Sequence, residues 1–378
     1  MHIAINALLV YGTFSGVQHA ILHQIRTLLN RKTSHRFTII ALNDVPIEQH
    51  IGPTQTEYTV LRAPIRSGER IKRVIWEQWS LPDELVKAQV DLLYAPGYLT
   101  SLRWDGPTVV FIHDTIALSH PHLCKRSNAL NYRLLLPPSA RKADCVAVPS
   151  HASAQDVERF CHVPAENIAV VPLGVEAPPA LFETDLLAAR KKIGVDEPYL
   201  LAVSAIEPKK NFGNLIRWFD TWKDAGIPQH LVIVGAWGWK YGEVLRALEH
   251  SRYRMQIHMP GYVPQANLPA VMAAADMLLM PSRYEGFGLP ALEAMAVGTP
   301  VVVSDQGALP ETVGEAGLVV PLEDCLWQAE IPTLLRHPDR LQTMRQTGKQ
   351  WAREHTWKRT GDQLMHIFEV AGNQTQSS

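Results

Sequence analysis

Residues 276–305 read DMLLMPSRYEGFGLPALEAMAVGTPVVVSD. An apolar run, "MLLMPS", leads into a glycine-bearing turn, "RYEGFG". A short helical pattern, "LPALEAMAVG", and a second apolar run, "TPVVVSD", follow. Runs that are apolar throughout, without alternation, fit strands covered on both faces, as in parallel sheets. Strand, turn, helix and strand together make the repeating unit of a doubly wound α/β sheet. Pro290 suits the first helical turn, where its missing N–H would have had no partner, and Gly298 suits the helix stop.

The same alternation extends in both directions. Upstream runs such as "HIAINALLV", "RFTIIAL", "EYTVLRA", "DLLYAP", "TVVFIHD", "DCVAVPS" and "NIAVVPLG" read as strands, as do "YLLAVSA", "HLVIVGA" and "QIHMPGY" nearer the stretch. The pattern stops and restarts at "VPLGVEAPPALFETD", where Pro172, Pro178 and Pro179 mark a linker. The expected fold class is therefore α/β: a Rossmann-like domain over residues 1–174, a second over 175–355, and the two facing across a cleft, a common place for a ligand. A last helix over 356–371, with Trp357, Leu364, Ile367 and Phe368 on one stripe, is expected to return to the first domain.

Bulk composition narrows the function. The 378 residues are 46% apolar and 19% charged, as in a globular protein, and 36 basic against 37 acidic residues leave a net charge of -1. Nothing in that balance pulls the chain toward nucleic acid. Cys124, Cys145, Cys161 and Cys325 form no CxxC pair, so a cytoplasmic protein with reduced thiols and no zinc is expected. No apolar run reaches the roughly 18 residues of a membrane span. The opening "MHIAINALLVYG" reads as a buried strand and not as a signal peptide. The sequon at Asn373 reads as chance, and the tail "GNQTQSS" as a frayed terminus.

The turn at 283–288 carries the chemistry. Its amides, and those of the first helical turn after it, have no intrahelical partner, and the helix dipole favours an anion in front of them. Gly286 and Gly288 lack a Cβ, so a phosphate can approach the backbone, with Phe287 between them and Leu289 opening the helix. Glu293, one turn in, can accept from the vicinal hydroxyls of a ribose, and Glu285 can do the same for a second sugar. Sugar, diphosphate and ribose in a row describe a nucleotide sugar. A capped helix start that merely carries acids is the plain alternative.

"EGFGLPALEAMAVGTPVV" closely resembles the nucleotide-binding signature of the retaining glycosyltransferases of family 4, which have the two-domain GT-B fold. "SAIEPKKNFGNLI", "LVIVGAWGWKYGEV" and "ADCVAVPSHASAQDV" resemble that family in the same order, and "RIKRVIWEQWSLP" and "VVFIHDTI" resemble its branch of bacterial mannosyltransferases. Lys209 and Lys210, at a strand end, would neutralise the departing diphosphate without a metal or other cofactor. The family often has arginine at position 209. The resemblance places Gly16 in a turn that a phosphate approaches, and His113 on the floor of the cleft beside the transferred sugar. Asp114 would orient that histidine or, less readily, take a proton from the acceptor. Backbone groups of Tyr262 and Val263 would read the base. The absence of GxGxxG around Gly12 argues against a dehydrogenase. His120 and His122 have no third ligand at matching spacing and read as a loop.

The expected activity is transfer of a hexose, mannose from GDP-mannose, to a lipid-linked glycan acceptor during cell-surface polysaccharide synthesis at the inner face of the membrane. UDP- or dTDP-sugar donors, a non-catalytic nucleotide-sugar-binding subunit and a sugar-nucleotide epimerase are the rival readings. The segment 62–79 holds Arg62, Arg66, Arg70, Lys72 and Arg73 against Glu69, followed by Trp76 and Trp79. It can lie on an anionic membrane, hold a lipid-diphosphate acceptor, or simply be a solvated basic face with its tryptophans in the core.

Overall fold

The apolar runs become strands of two all-parallel sheets in a computed structural model that describes residues 1–12, 16–178 and 180–374. Residues 13–15 of the first glycine turn, Pro179 of the linker, and 375–378 of the tail, which include the sequon's Thr375, lie outside the described residues. The chain divides into two compact units. One comprises Met1–His122, Arg126–Gly174 and Trp357–Ser378, and the other Leu123–Lys125 and Val175–Thr356.

The first unit holds β1 (His2–Asn6), β2 (Arg36–Leu42), β3 (Tyr58–Ala63), β4 (Leu92–Ala95), β5 (Thr108–Phe111), β6 (Cys145–Val148) and β7 (Ile168–Val170). They pair in the order β3-β2-β1-β4-β5-β6-β7. Every residue of β1, β4 and β5 is buried, whereas edge strand β3 is mostly half-exposed. Central strands are covered on both faces by helices, which is why they read as unbroken apolar runs. The helix Trp357–Gln374 belongs to this unit. Its Trp357 stacks on His23 at 4.8 Å, and its Phe368 meets Tyr94 at 4.9 Å. Thr27 Oγ1 donates to the Trp357 carbonyl at 3.0 Å, and Thr360 Oγ1 to that of Pro172 at 2.8 Å.

The second unit holds β8 (Tyr199–Val203), β9 (His230–Val234), β10 (Ile257–Gly261), β11 (Met277–Met280), β12 (Val301–Ser304) and β13 (Leu318–Val320), in the order β10-β9-β8-β11-β12-β13. Strand β13 has no counterpart in the sequence reading. Three residues at a sheet edge, two of them half-exposed, are too few to make a periodic signal. In each sheet the strand order reverses once, between β1 and β4 in the first and between β8 and β11 in the second. The carboxyl ends of strands flanking such a reversal are where doubly wound sheets bind ligands.

Three tryptophans anchor the helix that follows β8. Trp218 and Trp222 lie on the buried face of helix Phe212–Asp224, and Trp327 on helix Asp324–Leu335. Trp218 and Trp327 stack at 5.1 Å. Two of the indole N–H groups are matched: Trp218 Nε1 donates to Asp324 Oδ1 at 2.9 Å, and Trp222 Nε1 to the Trp327 carbonyl at 3.0 Å. This packing fixes the start of the helix directly after Lys210. We expect Trp222→Ala to cost about 3–5 kcal/mol by leaving a large cavity. Chemical denaturation checks this, and a loss below about 1 kcal/mol would remove Trp222 from the core.

Candidate functional site

A 3-10 turn, Pro208–Lys210, carries both lysines away from the carboxyl end of β8. Asn211, in the left-handed region at φ 62°, then turns the chain into the helix. On the other side of the reversal, β11 leads through Ser282 to Glu285. The two segments are tied by the Arg283 amide, which donates to the Lys209 carbonyl at 2.7 Å, and by Arg283 Nε, which donates to Asn211 Oδ1 at 3.1 Å.

Glu285 and Lys210 are buried, at 7% and 9% exposure. Lys210 Nζ donates to Glu285 Oε1, Ser282 Oγ donates to the same oxygen at 2.7 Å, and Lys209 Nζ lies 3.9 Å from Oε2. Burial alone would raise the Glu285 carboxyl. The charges of Lys210 and Lys209 and the bonds from Lys210 and Ser282 outweigh it and hold the group below the usual carboxylate range. Two ammonium groups against one carboxylate leave the trio with a net charge of +1. The backbone of Glu285 is fixed as well: its carbonyl accepts from Ala308 N at 2.9 Å, and a Cβ on Gly307 would fall 2.4 Å from that oxygen.

Gly288 caps helix Leu289–Val297 at φ 109°, a conformation that favours glycine, and a Cβ there would stand 2.7 Å from Leu309 Cδ2. Thr312 Oγ1 bonds the Phe287 carbonyl and holds the turn from behind. Glu293, half-buried one turn into that helix, accepts from Gln265 Nε2 at 3.1 Å. Enclosure lifts its carboxyl from 4.5 to about 7, with the Gln265 bond opposing and the charge of Glu176 adding. Gln265 follows Tyr262 and Val263 in the loop after β10. Tyr262 is 48% exposed and Val263 is buried. The structure therefore joins Lys209, Lys210 and Glu285 in one cluster, and Glu293 to the Tyr262–Val263 loop.

The first unit contributes a separate set. Gly16 opens helix Gly16–Leu29, and a Cβ there would meet nothing within 4 Å. The loop before it is pinned by Gln18 Nε2, which donates to the carbonyls of Leu9 and Tyr11 at 2.9 and 2.8 Å. His113, two residues beyond β5, is buried, and burial lowers its pKa to about 4. It is therefore neutral at pH 7. Its Nε2 lies 2.9 Å from the Pro96 carbonyl, which can only accept, so Nε2 carries the hydrogen and Nδ1 is left as an acceptor. Asp114 Oδ1 accepts from the Ile116 amide at 3.3 Å, and the charge of Asp114 opposes the fall in the His113 pKa. Ser282, Gln265, Asn211 and Pro96 are supports the sequence reading did not single out. Only Ser282, three residues before Glu285, offered a local signal. Among the described residues no group of three metal-ligating side chains occurs.

Because Glu293 holds a proton in the folded chain up to about pH 7, while the unfolded chain releases it near 4.5, its burial lowers stability as pH rises through that window. Glu293→Gln should therefore stabilise the protein at pH 8 and change little near pH 5. Solvent access at a half-buried group limits the gain to roughly 1–2 kcal/mol. Melting curves across that range check it, and a difference independent of pH would contradict it.

Comparison with known proteins follows the same division. The model of "Glycosyltransferase Family 4" matches residues 14–177, and that of "Glycosyl transferases group 1" matches residues 184–351. The chain is 27% identical over 299 residues to an O-antigen chain mannosyltransferase B of Escherichia coli, covering 78% of this chain and 77% of that one. It is 31% identical over 238 residues to an MMP alpha-(1->4)-mannosyltransferase of Mycolicibacterium hassiacum, covering 61% and 55%. It is 30% identical over 239 residues to a D-inositol 3-phosphate glycosyltransferase of Segniliparus rotundus, covering 61% and 53%. The alignments thus span little more than half the length of the last two. Among solved structures, Anabaena Alr3699/HepE in complex with UDP and glucose superposes with a TM-score of 0.75 at 19% identity, over 98% of this chain and 100% of that one. WaaG, a glycosyltransferase involved in lipopolysaccharide biosynthesis, superposes with a TM-score of 0.71 at 17% identity, over 97% and 99%. Both share the fold. With glycosyltransferase models matching each half and GT-B structures matching throughout, this chain belongs to the glycosyltransferases of family 4 and has the GT-B fold.

Proposed function

We propose that the protein is a retaining mannosyltransferase that moves mannose from GDP-mannose to a growing, lipid-linked glycan at the cytoplasmic face of a membrane. The observation that carries the donor side is the Lys210–Glu285–Lys209 cluster at the β8/β11 reversal, in front of the helix start at Gly288. A cluster of net charge +1 beside a helix N-terminus suits a diphosphate. Lys209, Lys210 and the amides of Gly288 and Leu289 would hold it, Glu285 would meet the donor sugar, and Glu293 would accept from the ribose hydroxyls. The mannosyl assignment draws on the likeness to two mannosyltransferases.

The reaction in this reading breaks the bond from the sugar C1 to the phosphate oxygen. A hydroxyl of the acceptor forms the new bond to C1 on the same face, and its proton passes to the leaving phosphate. Charge builds up on that phosphate, and Lys210 is preorganised to offset it. Neutral His113 would accept a sugar hydroxyl proton on Nδ1 while its Nε2–H stays on Pro96. The reading calls for no metal or cofactor. A UDP-sugar donor is the second reading, supported by the UDP and glucose bound in the HepE structure.

Membrane contact is part of the proposal. Among the described residues no helix is long and apolar enough to cross a membrane. Helix Arg70–Trp79 instead exposes Ile71, Ile75 and Trp79, with Lys72 beside them and the Arg103 guanidinium 4.0 Å over the Trp79 ring. Apolar groups set among cations suit an anionic lipid surface.

Two measurements test the donor side. In a thermal-shift panel of GDP, UDP, ADP and dTDP sugars, GDP-mannose should stabilise most, by about 2.7 kcal/mol at a hundredfold excess over Kd. A larger shift with UDP-sugars would replace the donor. Lys210→Ala should lower turnover by ~10²–10³, and turnover near that of the unsubstituted enzyme would remove Lys210 from the mechanism.

A further inference from the structure

Helix Arg70–Trp79 is built inside out. Three of its four exposed residues are apolar, Ile71, Ile75 and Trp79 beside Lys72, and its two buried residues are Arg73 and Glu77, each 8% exposed. A buried ion pair holds little advantage over apolar packing, so its presence calls for a reason beyond stability. The place is informative. Glu77 Oε1 accepts from Asn6 Nδ2 at 2.9 Å, and Asn6 is the last residue of β1. Gln78 clips the same helix to the loop after β4: its Nε2 donates to the Thr100 carbonyl at 3.0 Å, and its Oε1 accepts from the Leu102 amide at 2.8 Å. The helix therefore seats Glu77, with Arg73 one turn before it, at the β1/β4 reversal, the position in the first sheet that corresponds to the Lys210 site in the second.

The pair is poorly closed. Arg73 Nε lies 3.7 Å from Glu77 Oε2, beyond hydrogen-bond reach, and that buried N–H has no partner. Burial pushes the Glu77 carboxyl up against the opposing charge of Arg73 and the Asn6 bond, which weakens the only counter-charge the pair supplies. Thr100 Oγ1 and Ser101 Oγ, on the clipped loop, are also buried without partners. Tyr132, whose phenol feels Arg73, Arg70, Asp114 and Glu77, reaches Tyr98 at 5.2 Å, and Tyr98 reaches His113 at 5.4 Å. A buried guanidinium N–H left open at a ligand-binding reversal, with orphaned hydroxyls on the neighbouring loop, is a prepared donor for an incoming oxygen.

We propose that Arg73 is an oxyanion-binding residue of the first unit, taking a phosphate or carboxylate oxygen of the acceptor on its Nε–H. The word acceptor rests on the glycosyl-transfer reading, whereas the anion site itself does not. Inorganic phosphate and acetate titrated calorimetrically into the full chain test it. Phosphate also meets the Lys209–Lys210 cluster, so the readout is the binding component that Lys210→Ala leaves in place. Arg73→Gln should weaken that component at least tenfold, with Arg73→Lys intermediate, because lysine keeps the charge and loses the planar fork. Glu77→Gln removes the competing carboxylate and should tighten it several-fold. Preference for phosphate marks a phosphorylated acceptor, and preference for acetate an acidic sugar. The proposal is overturned if neither anion binds in the Lys210→Ala background, or if Arg73→Gln binds as that background does. It is equally overturned if Glu77→Gln weakens binding, the result for a purely structural pair, and that variant decides should Arg73→Gln fail to fold. Loss of the Lys210-dependent component alone would count against the donor reading and leave Arg73 standing.

Discussion

A carboxylate enclosed in a protein interior stays ionised only where cations are enclosed with it. Glu285 is such a group, and Lys210, Lys209 and Ser282 are what keep it charged. Much of the second unit follows from this requirement. The lysines must leave β8 on a tight turn, Asn211 must take a left-handed conformation to begin the next helix, and Gly307 must have no side chain where Glu285 passes. The tryptophan stack behind that helix supplies the rigidity. The result is a fixed, net positive cluster four residues ahead of a helix N-terminus. Such a surface stabilises developing negative charge without reorganising as it forms.

The two units use the same topological position in different ways. Each sheet reverses its strand order once, and each reversal is overlaid by a buried charged pair. In the second unit the pair is closed, bonded and flanked by a second cation. In the first, Arg73 and Glu77 stand apart, and Asn6 rather than Arg73 bonds the carboxylate. One arrangement is complete without a ligand, whereas the other has a donor left open. In the proposed function the closed pair would face a constant diphosphate and the open one a variable acceptor. Neutral, buried His113, with its Nδ1 left as an acceptor, belongs to the second kind.

Much of the fold was legible because parallel strands announce themselves. Twelve runs read as strands, most of them from their unbroken apolar character, are strands, and among the described residues only β13, three residues at an edge, passed unnoticed. The glycine turn and the helix after it were legible for the same local reason, since Pro290 and Gly298 punctuate them. Pairings across the sheet were not. Lys210 and Glu285 are 75 residues apart, and no local pattern announces that one will bond the other. Gln265 reaches Glu293 across 28 residues in the same silent way. Helix Arg70–Trp79 misleads more directly. One of its three readings was a solvated basic face with its tryptophans in the core, yet Trp79 is 61% exposed and Arg73 is buried. Periodicity reports that a helix has two faces but not which one turns inward, where Glu77 meets Asn6, 71 residues away in sequence.

The account as a whole rests on where a diphosphate is held. A crystal structure of the protein with a bound nucleoside diphosphate sugar tests that most directly. The account requires the distal phosphate within hydrogen-bond distance of the Gly288 or Leu289 amide, with Lys210 alongside and the ribose hydroxyls on Glu293. A diphosphate seated elsewhere, with Lys210 and Glu285 still sealed against each other and Glu293 facing solvent, would contradict it.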